Sequence, residues 1–392
     1  MSAVRRSRAF LLTVAIAGCG GRPGVVLAPA PVEPALDTTA LATTLFLIGD
    51  AGHVGPGDRV IAELTRQGQA ARRGATIVFL GDNVYPAGIP DETSASYPEA
   101  RRRLYAQAKL AETTGLRVIF VPGNHDWDRQ GEAGWAAVQR QDRLLRRFAD
   151  STGSQVELQP RAGCPGPTVT PIGARVRLVA IDTPWWLHGK ARPGREPPGT
   201  PRSDCAIDTE AGVLDSLRQI YRTTDGRMTV TVGHHPLVSH GEHGGFHPRI
   251  QYLLPVVPTP IARWAWLPIG WIYPLARRLV GNPQDLAGRA NRTMREAIEG
   301  TFSDRAPFIY AAGHDHSLEV IRRGPNRFYL VSGSGTEEHQ TAVGSGDSTA
   351  FSSSRPGFMR LDVFVDGRVR VGVTAIDEAR QPREIYQAWL KQ

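Results

Sequence analysis

The sequence predicts an α/β layered fold whose sheets are flanked by helices, and three observations carry that expectation. From about Thr43 onward, short apolar β-branched runs alternate with amphipathic stretches, and each run ends in Gly or Pro beside polar residues. The runs are continuously apolar rather than alternating, which implies burial on both faces and therefore helices packed against the sheets. Two late runs about Asp366-Gly367 form a hairpin that closes a sheet near the end of the chain.

In chain order, Arg5, Arg6 and Arg8 precede an uncharged stretch from Ala9 to Ala17, too short to span a bilayer as a mature helix, so residues 1–18 read as an export signal. Ile16-Ala17-Gly18-Cys19 looks like a bacterial lipobox, which would leave an acylated Cys19 on the periplasmic or outer face of a membrane; an ordinary signal peptide cut nearby is the alternative. Residues 19–42 are rich in Pro, Ala and Gly without periodicity, as in an extended tether. One domain is expected over 43–392. Its strands are Leu45–Ile48, Thr76–Leu80, Arg117–Val121, Val176–Ile181, Met228–Val232, Pro307–Ala311 and Phe328–Val331. Helical spacing appears at Val60/Ile61/Leu64, Val213/Leu214/Leu217 and Leu286/Ala290/Met294/Ile298. The Ser/Gly-rich stretch from Ser332 to Ser354 reads as a long surface loop, and Leu361–Val365 with Arg368–Val371 make the hairpin.

A chain of 392 residues with 41% hydrophobic content can bury one large core. Its formal net charge of +8 falls by three when the signal arginines leave. That excess suits an anionic substrate or a membrane surface and is too dispersed to indicate nucleic acid. Three cysteines is an odd number for an exported protein unless one carries something else. With Cys19 acylated, Cys164 and Cys205 remain, both in Gly/Pro-rich stretches, as a loop-to-loop disulfide or as two buried thiols.

Five strands end alike, in a glycine followed by an acid, amide or imidazole: Gly49-Asp50-Ala51-Gly52, Gly81-Asp82-Asn83-Val84-Tyr85, Gly123-Asn124-His125-Asp126, Gly233-His234-His235-Pro236 and Gly313-His314-Asp315-His316. One Asp after a strand is a common turn or cap residue. Five such endings converge on one crevice, because the carboxyl ends of strands in an α/β sheet point the same way. Carboxylates, an amide oxygen, imidazoles and a phenol form a mixed O/N set suited to Fe, Zn or Mn. Two cations about 4 Å apart would supply a bound hydroxide and neutralise charge on both the attacking and the leaving oxygen of a phosphate ester.

In this order the five blocks resemble the calcineurin-like metallophosphoesterase superfamily, most closely its purple acid phosphatases of the small, tartrate-resistant type. The likeness runs from about Thr43 to about Leu318. It implies a four-layer α/β/β/α arrangement, a β-sandwich of mixed sheets flanked by helices. It also implies two metal ions, Fe(III) with Fe(II), Zn(II) or Mn(II): one held by Asp50, Asp82, Tyr85 and His316, the other by Asp82, Asn124, His234 and His314, with Asp82 bridging. Tyr85, three positions after Asp82, marks the purple type, and Gly52 stands where related phosphodiesterases carry a histidine. His125 and His243 match the family's phosphate-contacting histidines, their roles as acid or orienting donor left open. Asp126 and Asp315 are expected to orient neighbouring imidazoles. His235 is expected on the site wall, His53 beside the ligands or on the surface, His240 and His247 in loops, and Asp182 in a structural role.

The chain departs from compact family members in an apolar insert around 252–280, where Arg263, Arg277 and Arg278 bracket Trp264, Trp266 and Trp271. It either touches a membrane interface or folds onto the domain. The leading expectation is an acid phosphatase acting on a small phosphate monoester, attached to a membrane through Cys19. The alternatives are a phosphodiesterase or lipid-headgroup phosphatase with the same metals, and a non-enzymatic phosphate-binding lipoprotein.

Overall fold

Strand β1 (Leu41–Ile48) shows how the layers are built. Leu45 and Leu47 enter one hydrophobic cluster while Phe46 and Ile48 enter another, so the period-two alternation of a strand feeds two different layers. The same division recurs in β2 (Thr76–Phe79) and β3 (Arg117–Phe120), whose buried residues are apolar apart from Thr76 because both faces are covered. The computed structural model describes residues 41–71, 74–200, 202–246, 282–303, 305–338 and 340–391. The export signal, the lipobox, nearly all of the tether, His247 and the Trp-rich insert lie outside the described residues. Strand β1 begins at Leu41, two residues before the expected start of the domain.

Two seven-stranded sheets are described. The first runs β14-β13-β12-β1-β2-β3-β4, with β4 at Val156–Leu158, β12 at Gly357–Phe364, β13 at Val369–Ile376 and β14 at Pro382–Lys391. The second runs β11-β9-β10-β8-β7-β6-β5, with β5 at Thr168–Ile172, β6 at Val176–Ala180, β7 at Met228–Val232, β8 at Ile309–Ala312, β9 at Leu318–Arg322, β10 at Phe328–Ser332 and β11 at Thr349–Ser353. Each sheet is mixed. Strands β1 to β4 are parallel to one another, as are β6, β7, β8 and β10, and antiparallel strands extend both sets.

Leu45, Val78, Ile119, Leu178, Val230 and Ile309 pack between the sheets. The outer face of the first sheet is covered by α1 (Arg59–Ala70), α2 (Tyr97–Thr114) and α3 (Gly134–Thr152), through Val60, Leu64, Leu104 and Leu145. The outer face of the second is covered by α4 (Thr183–Leu187), α5 (Glu210–Arg222) and α6 (Arg289–Gly300), through Val213, Leu217, Met294 and Ile298. The result is the expected α/β/β/α stack. Asp58 caps α1 by accepting from the Ile61 amide at 3.1 Å, and Asp182 caps α4 by accepting from the Trp185 amide at 2.9 Å, the structural role expected of it. No described helix is long and apolar enough to cross a membrane.

The structure corrects several sequence expectations. Residues 332–354 are not one surface loop: β11 pairs with β9 and buries Ser352 and Ser353. Leu286 precedes α6 rather than belonging to it. Helices α2, α3 and α4 and strands β4, β5, β9, β11 and β14 were not among the expected elements. The expected hairpin is β12 and β13, and it lies beside β1. Cys164 and Cys205 are joined, with their Cα atoms 5.6 Å apart.

Candidate metal centre

At the carboxyl ends of the parallel strands all seven expected ligands come together. Asp50 follows β1, Asp82 and Tyr85 follow β2, and Asn124 follows β3; His234 follows β7, and His314 and His316 follow β8. Asp50, Asp82 and His314 hold positive φ values of 59°, 52° and 71°. Side chains rarely accept that conformation, which costs of order 1–3 kcal/mol and clusters at functional sites. Glycine would relieve it, so what keeps an acid or imidazole there is the chemistry of the side chain. The glycines before the ligands are needed for close approach: a Cβ on Gly123 would collide with the amide and carboxylate of Asp82, and one on Gly313 with the carboxylate of Asp50.

Two groups of acceptors form, with Asp82 facing both. In the first, the Tyr85 hydroxyl lies 3.1 Å from each of Asp50 Oδ1, Asp82 Oδ2 and His316 Nε2. One phenolic proton cannot satisfy both carboxylates. In the second, Asn124 Oδ1 lies 2.8 Å from His234 Nε2 and 3.1 Å from His314 Nδ1, and those nitrogens are 3.3 Å apart. The other nitrogen of each ring is committed as a donor, His234 Nδ1 to the Leu80 carbonyl at 2.9 Å and His314 Nε2 to the Gln284 carbonyl at 2.9 Å. The facing nitrogens therefore present lone pairs to an amide oxygen. Such a convergence of acceptors fits a bound cation, and the donor set suits iron, zinc or manganese.

The electrostatics agree. Burial, reinforced by His243, His235 and His234, pushes the His314 imidazole well below its ordinary range and keeps it neutral, as a ligand must be. Burial opposes ionisation of Asp82, but His234 and His125 outweigh it and hold the carboxyl low. Burial and the carboxylates of Asp82 and Asp50 push the Tyr85 phenol well up, so a phenolate at this position calls for a strong positive charge.

A cavity of about 400 Å³ opens over these groups, lined in part by His125, His243, Arg129, Gln130, Asn282 and Gln284. His125 donates from Nδ1 to the Pro86 carbonyl at 2.6 Å, and its Nε2 lies 3.9 Å from Asp82 Oδ2. His243 Nδ1 pairs with Asp285 at 2.8 Å, and its ring lies over His314 at 4.0 Å between centroids. His235, expected on the site wall, does not line the cavity: it is fully buried, its ring 4.4 Å from that of His314. Although its ring lies close to His234 and His314, Nδ1 accepts from Thr183 at 2.9 Å and Nε2 donates to the Gln284 side chain at 2.7 Å, so neither nitrogen is aimed at the ligand cluster. His53 stacks on Tyr85, rings 4.4 Å apart, and His240 pairs with buried Glu319 at 3.1 Å.

Asp126 and Asp315 do not orient imidazoles. Asp126 accepts from the amides of Gly123, Asn83 and Val84 and from Asn83 Nδ2, at 2.7 to 3.1 Å. It thereby ties the Asp82–Tyr85 loop to the Asn124–His125 loop. Asp315 accepts from the His243 amide at 2.7 Å and from the Ser239 hydroxyl, bracing the loop that carries His243. The sequence reading missed Gln284, Asp285, Arg129 and Gln130. The last two sit in a left-handed run, Asp128, Arg129 and Gln130 at φ 53°, 50° and 71°, which contains no glycine to announce the turn.

Two mixed sheets, a helical layer on each side and a polar cluster at the strand ends describe a metal-dependent phosphoester hydrolase. A family model of calcineurin-like phosphoesterases matches residues 43–254, and the chain belongs to that family. The match spans four of the five ligand blocks; the Gly313–His316 block lies beyond it and is brought in by the fold. No curated protein matches the chain in sequence. Among solved structures, GAP50, the anchor in the inner membrane complex of Plasmodium, superposes with a TM-score of 0.54 at 14% identity, covering 89% of this chain and 88% of that one. The purple acid phosphatase PPD1 from yellow lupin (Lupinus luteus) seeds superposes with a TM-score of 0.53 at 13% identity, covering 88% of this chain and 53% of that one, so the chain spans about half of the lupin enzyme. Identities this low speak to the fold.

Proposed function

We propose that the chain is an acid phosphatase that hydrolyses phosphate monoesters at a two-metal centre of the purple type, one ion being Fe(III) and the other Fe(II), Zn(II) or Mn(II). The observation that carries this reading is Tyr85, whose hydroxyl lies 3.1 Å from Asp50, Asp82 and His316 alike. Asp50, Asp82, Tyr85 and His316 would hold the first ion, and Asp82, Asn124, His234 and His314 the second. The ions supply an acidified water and charge neutralisation on the ester. The protein does the rest. His314 and His234 are fixed in orientation by the Gln284 and Leu80 carbonyls. The exposed Arg129 guanidinium on the cavity rim meets the phosphate. His243, with its Nδ1 proton on Asp285, and His125, with its Nδ1 proton on Pro86, stand where a leaving-group oxygen takes up a proton.

The fold alone does not separate a catalyst from an anchor, since GAP50 shares it. What favours catalysis is the complete set of converging acceptors. Metal analysis and a visible spectrum test the reading. A tyrosinate-to-iron charge-transfer band that vanishes in Tyr85→Phe, with turnover of a monoester and poor turnover of a diester, is the expected result. A colourless, fully active zinc or manganese protein would overturn the purple assignment, and preferred turnover of a diester would overturn the substrate.

A further inference from the structure

Six cations meet at the end of the sandwich opposite the candidate metal centre. Arg175 precedes β6, Arg227 precedes β7, Arg305 precedes β8, Arg323 and Arg327 flank the β9–β10 turn, and Lys391 ends β14. They rim an open cavity of about 630 Å³, and the one acidic residue that lines it among the described residues, Asp366, is already engaged by Arg368 at 2.7 Å. Among the described residues none of the six forms an ion pair. Val365, whose carbonyl accepts from Arg175, stands beside them 52% exposed, in a molecule where few described large apolar side chains are exposed at all. Cations with no ion-pair partner among the described residues, set around a bare aliphatic side chain, form a surface suited to anionic headgroups.

The chain enters the domain at this same end. Leu41, the first residue of β1, pairs with Phe364 next to the Val365–Gly367 turn, and Gly173 of the β5–β6 turn lies beside Ala42. Cys19 lies 22 residues upstream of Leu41. A chain of that length spans at most roughly 75 Å when fully extended. An attachment point that far upstream does not by itself select a face of the domain, so orientation comes from the surface itself.

We infer that this basic end rests on the anionic headgroups of the membrane to which Cys19 tethers the chain, which holds the catalytic cavity on the far side of the sandwich. The inference rests on the lipobox reading for the tether but not on the metal or substrate assignment. The length of β1 sets the cavity roughly 25 Å from the basic end. A competing orientation exists, because the Trp-rich insert leaves and rejoins the described chain at the catalytic end, between Phe246 and Asn282, the latter a cavity-lining residue. If the insert docked on the bilayer, the cavity would face the headgroups instead.

The exported, processed chain decides between them. A fluorophore is placed on Val365→Cys or, at the catalytic end, on Glu132→Cys, and the chain is mixed with vesicles of phosphatidylglycerol and phosphatidylcholine carrying a headgroup quencher. The expected result is quenching at position 365 and none at 132, fading as salt rises or when phosphatidylcholine is used alone. In Arg227→Glu/Arg305→Glu/Arg323→Glu the preference for position 365 falls about tenfold or more while phosphatase turnover is retained; Gln replacements at the same sites give a smaller drop. Quenching at 132, equal quenching at both positions, indifference to lipid charge, or no response to the charge reversal would each overturn the inference.

Discussion

Replacing Asp126 tests how the ligand loops are held. Its buried carboxylate satisfies four N–H groups, the amides of Gly123, Asn83 and Val84 and the Asn83 side chain. A buried donor left unpaired costs about 1–3 kcal/mol. Asp126→Ala strands all four, which at the lower bound amounts to about 4 kcal/mol. Asp126→Asn keeps the shape and one acceptor but turns an amino group toward donors, so about half of that loss, roughly 2 kcal/mol, is expected. Because Asp82 and Tyr85 lie on one of the tied loops and Asn124 on the other, metal affinity should fall about 10–100-fold in Asp126→Asn. Urea denaturation of the metal-free chain reads the first quantity, and metal content after dialysis against a graded chelator reads the second. An Asn variant within about 0.5 kcal/mol of the parent, with unchanged metal retention, would refute the bracing role.

Three further outcomes are expected. His188 is buried with neither ring nitrogen bonded among the described residues, and burial, helped by Arg192, lowers it from 6.5 to about 4. The unfolded chain then takes up a proton that the folded chain refuses, so its contribution to stability is present above the unfolded value and is lost as pH falls toward about 4. His188→Leu should therefore gain about 1–2 kcal/mol relative to the parent between pH 7 and pH 5 in urea titrations, and a pH-independent difference would contradict this. The Cys164–Cys205 bond closes a 41-residue separation, so the double serine variant should lose about 3–4 kcal/mol on the chain-entropy account, measured by the same titration. Asp285→Asn removes the carboxylate on His243 Nδ1 and should lower kcat about 10–100-fold with little change in KM; an equal rise in KM would mean that His243 serves binding instead.

The five ligand blocks were legible because each packs its backbone requirement and its chemistry into adjacent letters: a glycine that permits close approach, then a donor at the strand end. What lay between was harder to read. Helix α2 buries Ala100, Ala108 and Ala111, too small to mark a face, among Arg101, Arg102 and Arg103. Strand β11 buries serines, and β14 buries only Tyr386 and Leu390, so neither shows an apolar run. Asp126 and Asp315 misled for a geometric reason. A carboxylate adjacent in sequence to an imidazole need not lie beside its ring, and here the sharp turns direct both carboxylates to backbone amides. Gln284 and Asp285 follow the apolar insert in a segment with no periodicity, and only the folded chain returns them to His314 and His243.

The seam between the two sheets has a consequence for how such a centre tolerates change. Asp50, Asp82, Tyr85 and Asn124 hang from one sheet and His234, His314 and His316 from the other, so each acceptor group is drawn from both slabs. An ion seated there acts as a rivet through two plates, and the gauge of the joint is the thickness of the aliphatic filling just beneath it, Leu80, Val121, Val232 and Ala311. Thickening that filling by a methyl group would spread the plates and detune the rivet without touching a ligand, and a tightly seated ion would in turn clamp the plates against parting. Side chains with no polar atom thus set the calibre of the reaction.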